Sequence, residues 1–184
     1  MPVEWGCAPR RAYRCAVNNF DVGVLALRLC LGLFLMAHGY NKFFGPGGIK
    51  GTVGWFSGIV MRPPRLNAYM AATTELGCGA LMALGFLTPL AAGGMIALML
   101  VAIWVAHRRN GFFVFRPGQG WEYCATIAVA AWSVACIGAG KASIDHAIGL
   151  DVESWWGAGI ALIVGVVAAV VQLAACYRPV RQQA

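Results

Sequence analysis

Residues 155–176 read WWGAGIALIVGVVAAVVQLAAC and contain no charged side chain. A helix needs about 20 mostly apolar residues to cross the hydrocarbon core of a bilayer. Because this stretch has that length and composition, it predicts a membrane-spanning α-helix. The chain repeats the pattern in four further apolar runs, at about residues 22–40, 67–87, 89–107 and 121–138.

The fold predicted from these runs is an all-α membrane protein. Its compact bundle would contain four core transmembrane helices, a fifth C-terminal transmembrane helix and one short interfacial helix. The second and third runs are separated by Leu87-Thr88-Pro89, and proline suits the first turn of a new helix. These two runs are therefore expected to form an antiparallel hairpin, with Asn67 as the N-cap of its first helix.

The predicted organisation contains no soluble domain. Residues 1–21 form a polar N-terminal arm that lacks the apolar core of a signal peptide. Residues 22–150 form the four-helix core, residues 151–176 the additional helix and residues 177–184 a short basic tail. The stretch around Trp55 is too short to span, so it is either an interfacial or re-entrant helix or a loop with aromatic anchors.

Composition also indicates a membrane protein. Of the 184 residues, 60% are apolar and 11% charged, against about 45–50% and 25% in soluble domains. The formal net charge of +7 does not indicate a nucleic-acid partner, because no run of five Lys or Arg residues occurs. The basic residues are concentrated in the connections 41–66 and 108–120 and in the C-terminal tail, which together form the loop-rich face. This bias favours a membrane protein whose loop-rich face is cytoplasmic and whose partners include lipids.

The seven cysteines form no CxxC pair. Those in apolar runs are expected to act as small hydrophobic side chains, and Cys7 and Cys15 in the polar arm are the exceptions. The chain also lacks a P-loop, a GxGxxG fingerprint and a GxSxG elbow. Hydrolase and nucleotide-driven functions therefore have no support in the sequence.

Arg28 and Glu75 are charged residues inside the first two apolar runs. A charge at the centre of a membrane helix costs at least about 2.5–3.5 kcal/mol on insertion scales, so it requires a partner, a wet cavity or a chemical role. Counting back from His38 and forward from Asn67 places both charges roughly 12–15 Å from the loop-rich face. We therefore expect a buried Arg28–Glu75 pair.

Four more polar residues are expected in the half of the bundle near the loop-rich face: His38, Lys42, His107 and Glu122. The opposite side of the membrane receives almost no polar residues within the spans. Such a polar half-cavity can receive an amphipathic head group, such as a quinone ring, and His and Glu can relay protons. The predicted catalytic residues are Glu75, His107 and Glu122, and the predicted pocket residues are Arg28, His38, Lys42 and Trp55.

Structural roles are open for the same residues. The Arg28–Glu75 pair can lock two helices together. His38 and His107 can be solvated at helix ends, and Lys42 can extend to the headgroups. Two histidines from different helices can also ligate a metal or haem. No HxxxH or HxxEH spacing occurs, so no metal site is predicted.

The order and spacing of these motifs resemble the DoxX family of small bacterial membrane proteins. The resemblance covers about residues 22–150, and the fifth apolar run and the cysteine-containing arm depart from the family pattern. The matching stretches are Leu25–Leu29 with Leu31–Leu33, Ala37–Gly45, Gly51–Phe56, Glu75–Gly77, Leu84–Ala91, Val101–His107 with Gly111–Phe113, Glu122 and Ser143–Asp145.

The resemblance implies a four-helix membrane core in a redox setting, in the plasma membrane of a bacterium. Members of the family include a subunit associated with thiosulfate:quinone oxidoreduction. Others belong to a membrane oxidoreductase complex with superoxide dismutase and a sulfurtransferase, tied to thiol and oxidative stress. The family implies no catalytic mechanism for single residues, but the positions that match its pattern are Arg28, His38, Lys42, Glu75, His107 and Glu122.

Two functions from different classes follow. The first is an integral membrane subunit of a redox complex that binds a quinone or small sulfur species, for thiol and oxidative-stress defence or respiratory electron transfer. Without a redox centre in its sequence, it would depend on a bound quinone, a partner flavoprotein or its own thiols. The second is a non-catalytic membrane scaffold or assembly factor that recruits soluble partners. Solute transport has less support, because no inverted repeat with broken helices is visible.

Overall fold

The computed structural model describes residues 18–179, and these residues form helices joined by loops. After α4 the helix continues through one π-helical turn, Ile103–His107, and one 3₁₀ turn, Arg108–Asn110. The all-α prediction is confirmed for this part of the chain. The helices are α1 Asn19–Phe44, α2 Gly48–Gly58, α3 Pro64–Leu84, α4 Thr88–Ala102, α5 Glu122–Ile137, α6 Ile144–Ala147 and α7 Ser154–Cys176. The polar arm with Cys7 and Cys15 lies outside the described residues, apart from its last positions.

Each predicted apolar run coincides with a helix, but several ends differ. Asn18 caps α1, because its side chain accepts from the Asp21 N–H while the Asp21 carboxylate accepts from the Asn18 N–H, both at 3.0 Å. At its other end α1 continues to Phe44, four residues beyond the predicted end. The predicted N-cap at Asn67 is wrong, because α3 already begins at Pro64, where a missing N–H costs no helical hydrogen bond.

The long connection after α1 is helical over Gly48–Gly58. Of the two alternatives for this stretch, the helix is therefore the one that forms. α2 packs against α1 and α3, and its inward side chain is Phe56. Its interfacial position in the membrane stays a prediction.

Three helices of the described residues are long and apolar enough to cross a bilayer: Asn19–Phe44, Thr88–Asn110 and Ser154–Cys176. α5 is apolar but contains 16 residues. α3 has 21 residues, yet it is more polar and is not one of the three. By length and composition the chain is a helical membrane protein, and the predicted count of five spans goes beyond these three helices.

α4 lies at the centre of the bundle, packed against α3, α5 and α7, while α1 packs against α3. Gly32 and Gly79 let α1 and α3 approach closely, since a Cβ built on Gly32 would lie 2.5 Å from the Gly79 carbonyl oxygen. In lipid, where helices gain no hydrophobic drive to associate, such backbone approach provides the packing contacts. The core between the helices contains Leu31, Leu35, Met82, Met95, Met99, Ile127 and Val134.

The bundle has two distinct ends. At the loop-rich face, an isolated antiparallel bridge joins Met61, after α2, to Tyr177, after α7. At the opposite end, α6 lies against the α3–α4 turn, because the Asp145 N–H donates to the Gly85 carbonyl at 2.9 Å. We call this second region the α6 end.

Candidate functional site

Lys42 and Glu75 form a buried ion pair between α1 and α3. Lys42 Nζ donates to both carboxylate oxygens of Glu75 at 2.6 Å. The Glu75 side chain is 8% exposed and that of Lys42 25%. Lys42 therefore reaches inward from the last turn of α1, and its alternative placement among the headgroups is wrong.

His38 and Tyr123 lie beside this pair. His38 is four residues before Lys42 on α1, on the same side of the helix, and it is close enough to Glu75 for their charges to interact. The His38 ring centroid lies 6.2 Å from that of Tyr123 on α5. We call His38, Lys42, Glu75 and Tyr123 the Glu75 cluster; its first three members were predicted, whereas Tyr123 was missed.

The Glu75 cluster brings several proton-carrying groups together at the bundle surface, with Glu75 buried, Lys42 half-buried, and His38 and Tyr123 exposed. Lysine, tyrosine and protonated histidine are hydrogen-bond donors, and a carboxylate is an acceptor that can take up a proton. Cys30 and Cys124 also lie within electrostatic range of Tyr123. The arrangement can therefore donate hydrogen bonds to a polar head group and exchange a proton with it.

His107 and Glu122 lie toward the same end, but their bonds fix the loop between α4 and α5. His107 Nδ1 lies 3.0 Å from the Gln119 carbonyl oxygen, and Glu122 Oε2 accepts from the Val114 N–H at 3.1 Å. Both side chains are half-buried. Their catalytic roles stay predictions, and the contacts that the structure gives them are structural.

Trp55 projects from α2 with 52% of its surface exposed. Its ring meets the buried Phe56 edge to face, with centroids 5.0 Å apart. Both rings belong to α2, so this contact lies within the helix, and a pocket role for Trp55 stays a prediction.

The predicted Arg28–Glu75 pair is wrong. Arg28 is 1% exposed, and its guanidinium donates to backbone carbonyls at the α6 end. Nε donates to Met82 O at 3.1 Å and Nη2 to Ala83 O at 2.9 Å. Nη1 donates to the carbonyls of Ala139 and Ala142. We call this arrangement the Arg28 clamp; it satisfies helix-terminal carbonyls of α3 with a positive charge, which also suits the helix dipole.

Helix length explains the error. The depth of Arg28 was counted from His38, but α1 continues six residues further to Phe44, so Arg28 lies about 9 Å deeper than expected. The packing register agrees, because Gly32 faces Gly79 and Arg28 reaches Ala83. Glu75 lies eight residues before Ala83, about 12 Å away along α3.

The expectation that this side receives almost no polar residues within the spans is wrong for Arg28, and the α6 end contains further buried polar residues outside the predicted spans. Asp145 accepts from the N–H groups of Leu87 and Thr88 at 2.8 and 2.9 Å, and from Thr88 Oγ1 at 2.7 Å. It thereby caps α4, whose own N-cap residue has no side-chain cap. The signal for it was present in the Ser143-Ile144-Asp145 motif.

A polar cavity of about 320 Å³ opens at the α6 end. Its buried wall includes Asp21, which accepts from the Lys141 N–H at 3.0 Å. Its exposed rim includes His146, whose Nδ1 lies 3.0 Å from Asp151 Oδ2. Among residues 18–179, no group of three or more His, Cys, Asp or Glu side chains is placed to hold a metal ion.

Comparison with known proteins identifies part of the chain. Residues 23–108 match the model of the DoxX family. Over 84 residues the chain is 35% identical to a Bacillus subtilis (strain 168) protein named "Putative oxidoreductase CatD". That match covers 46% of this chain and 58% of the relative. No solved structure is significantly similar to the chain. The predicted resemblance to the DoxX family is confirmed over residues 23–108 of this chain.

Proposed function

We propose that this protein is an integral membrane component of a redox system, and that it binds a quinone as substrate at the Glu75 cluster. The Lys42–Glu75 ion pair carries the proposal. Burying two charges is costly even when they are paired, and the close Gly32–Gly79 contact already joins α1 to α3. A chemical role for the pair accounts for that cost, and the oxidoreductase name of the Bacillus subtilis relative supports a redox role.

The proposed topology has five spans, formed by α1, α3, α4, α5 and α7. The polar residues of α3 lower its hydropathy, but Asn67 and Glu75 are buried within the bundle, so they are not presented to lipid. α5 is about 24 Å long at 1.5 Å per residue, and modest local thinning of the bilayer accommodates a short span. We place the protein in a bacterial plasma membrane with its loop-rich face in the cytoplasm.

The groups of the Glu75 cluster fit a quinone head group. Its two carbonyl oxygens are hydrogen-bond acceptors, and Lys42, Tyr123 and protonated His38 are donors from two helices. Glu75 is positioned to exchange a proton with the bound head group, since quinone reduction consumes two protons and two electrons. Lys42 stabilises the ionised form of Glu75 between turnovers.

The electrons are proposed to come from a soluble partner. A flavoprotein docked on the loop-rich face would supply two electrons for each quinone reduced to quinol. Superoxide dismutase and sulfurtransferase proteins, which the family resemblance implies, are further candidate subunits of such a complex. By reducing quinone, such a complex would support either thiol and oxidative-stress defence or respiratory electron transfer.

A non-catalytic scaffold is the second candidate function. It is favoured by the α6 end, where residues of the DoxX-like motifs make structural contacts. Arg28 binds helix-terminal carbonyls, and Asp145 caps α4 through Thr88. If the Glu75 cluster also serves only packing, the protein recruits soluble partners without binding a quinone.

The test is the quinone content of the purified protein. Wild-type protein and the Glu75→Gln variant are transferred from native membranes into nanodiscs, and organic extracts are analysed by mass spectrometry. Glu153→Gln, an exposed carboxylate at the α6 end, is the matched control. We expect quinone to accompany the wild type and the control, and about tenfold less to accompany Glu75→Gln, equivalent to the loss of one good interaction.

Two results would oppose the proposal. If no quinone is found in any of the three samples, the proposal that the protein binds a quinone is wrong. Equal amounts in all three would show that bound quinone lies elsewhere, and unchanged recovery of soluble partners with Glu75→Gln would then support the scaffold.

A further inference from the structure

A second cavity lies between α3 and α7, on a floor formed by α4. Its volume is about 540 Å³, within the roughly 300–1,000 Å³ of small-molecule sites. The Glu75 cluster does not line it. On α3 it is lined by Ala71, Thr74 and Cys78, which share one helix face. We call this cavity the α3–α7 groove, and its place in the fold is independent of the redox role proposed above.

Small side chains keep the groove open. Its α4 floor contains Gly94 and Ala97, and its α7 wall contains Ala168 and Ala175. Cys78 packs directly against Gly94, because a Cβ built on Gly94 would overlap the Cys78 sulfur. Glycine at this position therefore lets α3 and α4 approach closely beneath the groove.

The polar groups of the groove are unevenly placed. Gln172 on α7 lies near the loop-rich face, and its Nε2 donates to Asn67 Oδ1 at 3.2 Å. Asn67 in turn donates through Nδ2 to the Pro63 carbonyl at 2.9 Å. The Gln172 Oε1 is then an acceptor without a partner among the described residues. Deeper in the groove, toward Gly94 and Cys78, the lining is mainly apolar.

The groove lies at the depth of lipid chains. Its floor belongs to Thr88–Asn110 and its α7 wall to Ser154–Cys176, two of the helices able to cross a bilayer. A water molecule in a cavity needs two to four polar partners, which the deeper part does not offer. Hydrocarbon is therefore the occupant that this environment supplies.

We propose that the α3–α7 groove binds one acyl chain of a membrane lipid. The chain lies along Gly94 and Ala97, and an O–H or N–H donor of the head group binds Gln172 Oε1. The site holds a lipid of the bilayer as a specific ligand, in addition to the general lipid shell.

Photolabelling of the full chain in nanodiscs tests this proposal. The probe is hexadecanol that carries a diazirine near its methyl end, so that its hydroxyl can donate to Gln172 Oε1, and labelled peptides are identified by mass spectrometry. We expect labels on peptides of all three helices that line the groove, and competition by hexadecanol. Ala168→Phe, which fills the groove from an exposed position, should lower this labelling about tenfold.

The matched control is Ala174→Phe, another exposed alanine of α7 that lies outside the groove lining. It should label like the wild type. Labels spread over all lipid-facing surfaces, or equal labelling of the two variants, would overturn the proposal.

Discussion

Lys42 Nζ lies 2.6 Å from both carboxylate oxygens of Glu75, so the buried lysine and glutamate neutralise each other between α1 and α3. Arg28, fourteen residues earlier on α1, instead binds backbone carbonyls at the α6 end. The buried charges of this bundle are thus divided between two places. The Lys42–Glu75 pair joins two side chains that can exchange protons. The Arg28 clamp holds the C-terminal carbonyls of α3 against the segment that follows α5.

The ion pair predicts strong coupling between its two residues. Removing one partner of a buried pair costs about 3–5 kcal/mol, because the other charge remains without compensation. Glu75→Leu and Lys42→Met should each lower the unfolding free energy by about that amount. The double variant Lys42→Met/Glu75→Leu should recover most of the loss. Unfolding in detergent measures this cycle, and additive losses would show that the two residues act independently.

The Arg28 clamp predicts that lysine cannot replace arginine. Lysine lacks the planar fork that reaches carbonyls on both sides, and each hydrogen bond from a charged donor contributes about 1.5–3 kcal/mol. Arg28→Lys should therefore lower the unfolding free energy by at least about 3 kcal/mol. Arg109→Lys, in the exposed 3₁₀ turn, is the control and should stay within about 0.5 kcal/mol of the wild type.

Gly85 is predicted to tolerate no side chain. Its φ is +64°, and a Cβ built there would lie 2.5 Å from Arg28 Cζ. Gly85→Ala should destabilise the protein by more than the roughly 1 kcal/mol of a left-handed non-glycine residue. Gly77→Ala is the opposite case, because nothing lies within 4 Å of its Cβ position in α3. Alanine there should stabilise by about 0.5–1 kcal/mol, and thermal melts compare the two.

Asp145 is predicted to stabilise the start of α4. Loss of a side-chain cap costs about 0.5–2 kcal/mol, and Asp145→Ala would also leave the buried Thr88 hydroxyl without its acceptor. Hydrogen exchange at Leu87 and Thr88 should accelerate in this variant. Asp151→Ala, at an exposed position, should leave exchange at these amides unchanged; equal protection in both variants would contradict the capping role.

Much of the fold could be predicted because apolar length specifies a membrane helix. The uncharged run at 155–176 matches α7 almost residue for residue. Pro89 predicted the start of α4 because proline lacks the backbone N–H that a residue in the helix interior donates, and therefore suits the first turn. Apolar length could not reveal how α3 accommodates its polar residues. Glu75 and Asn67 are buried because of the residues that they contact on other helices, and those contacts are not visible in the sequence of α3.

The site was predicted in part for the same reason. Glu75, Lys42 and His38 converge because helical spacing and chain order place them near one end. The predicted Arg28–Glu75 pair was wrong because it depended on the register of α1 against α3. The close approach of Gly32 to Gly79 determines that register. Tyr123 is 41% exposed, and it was missed because a tyrosine near a membrane surface gives no signal of a ring contact with His38.

The central claim is that the Glu75 cluster binds a quinone, and the most direct test is a binding isotherm. Purified wild type and the Lys42→Met/Glu75→Leu variant are titrated with a decyl-substituted quinone in nanodiscs, alongside their melting temperatures. We predict a Kd at least about tenfold weaker for the double variant, a difference of 1.4 kcal/mol, with most of the stability retained. An unchanged Kd in a folded double variant would contradict the account.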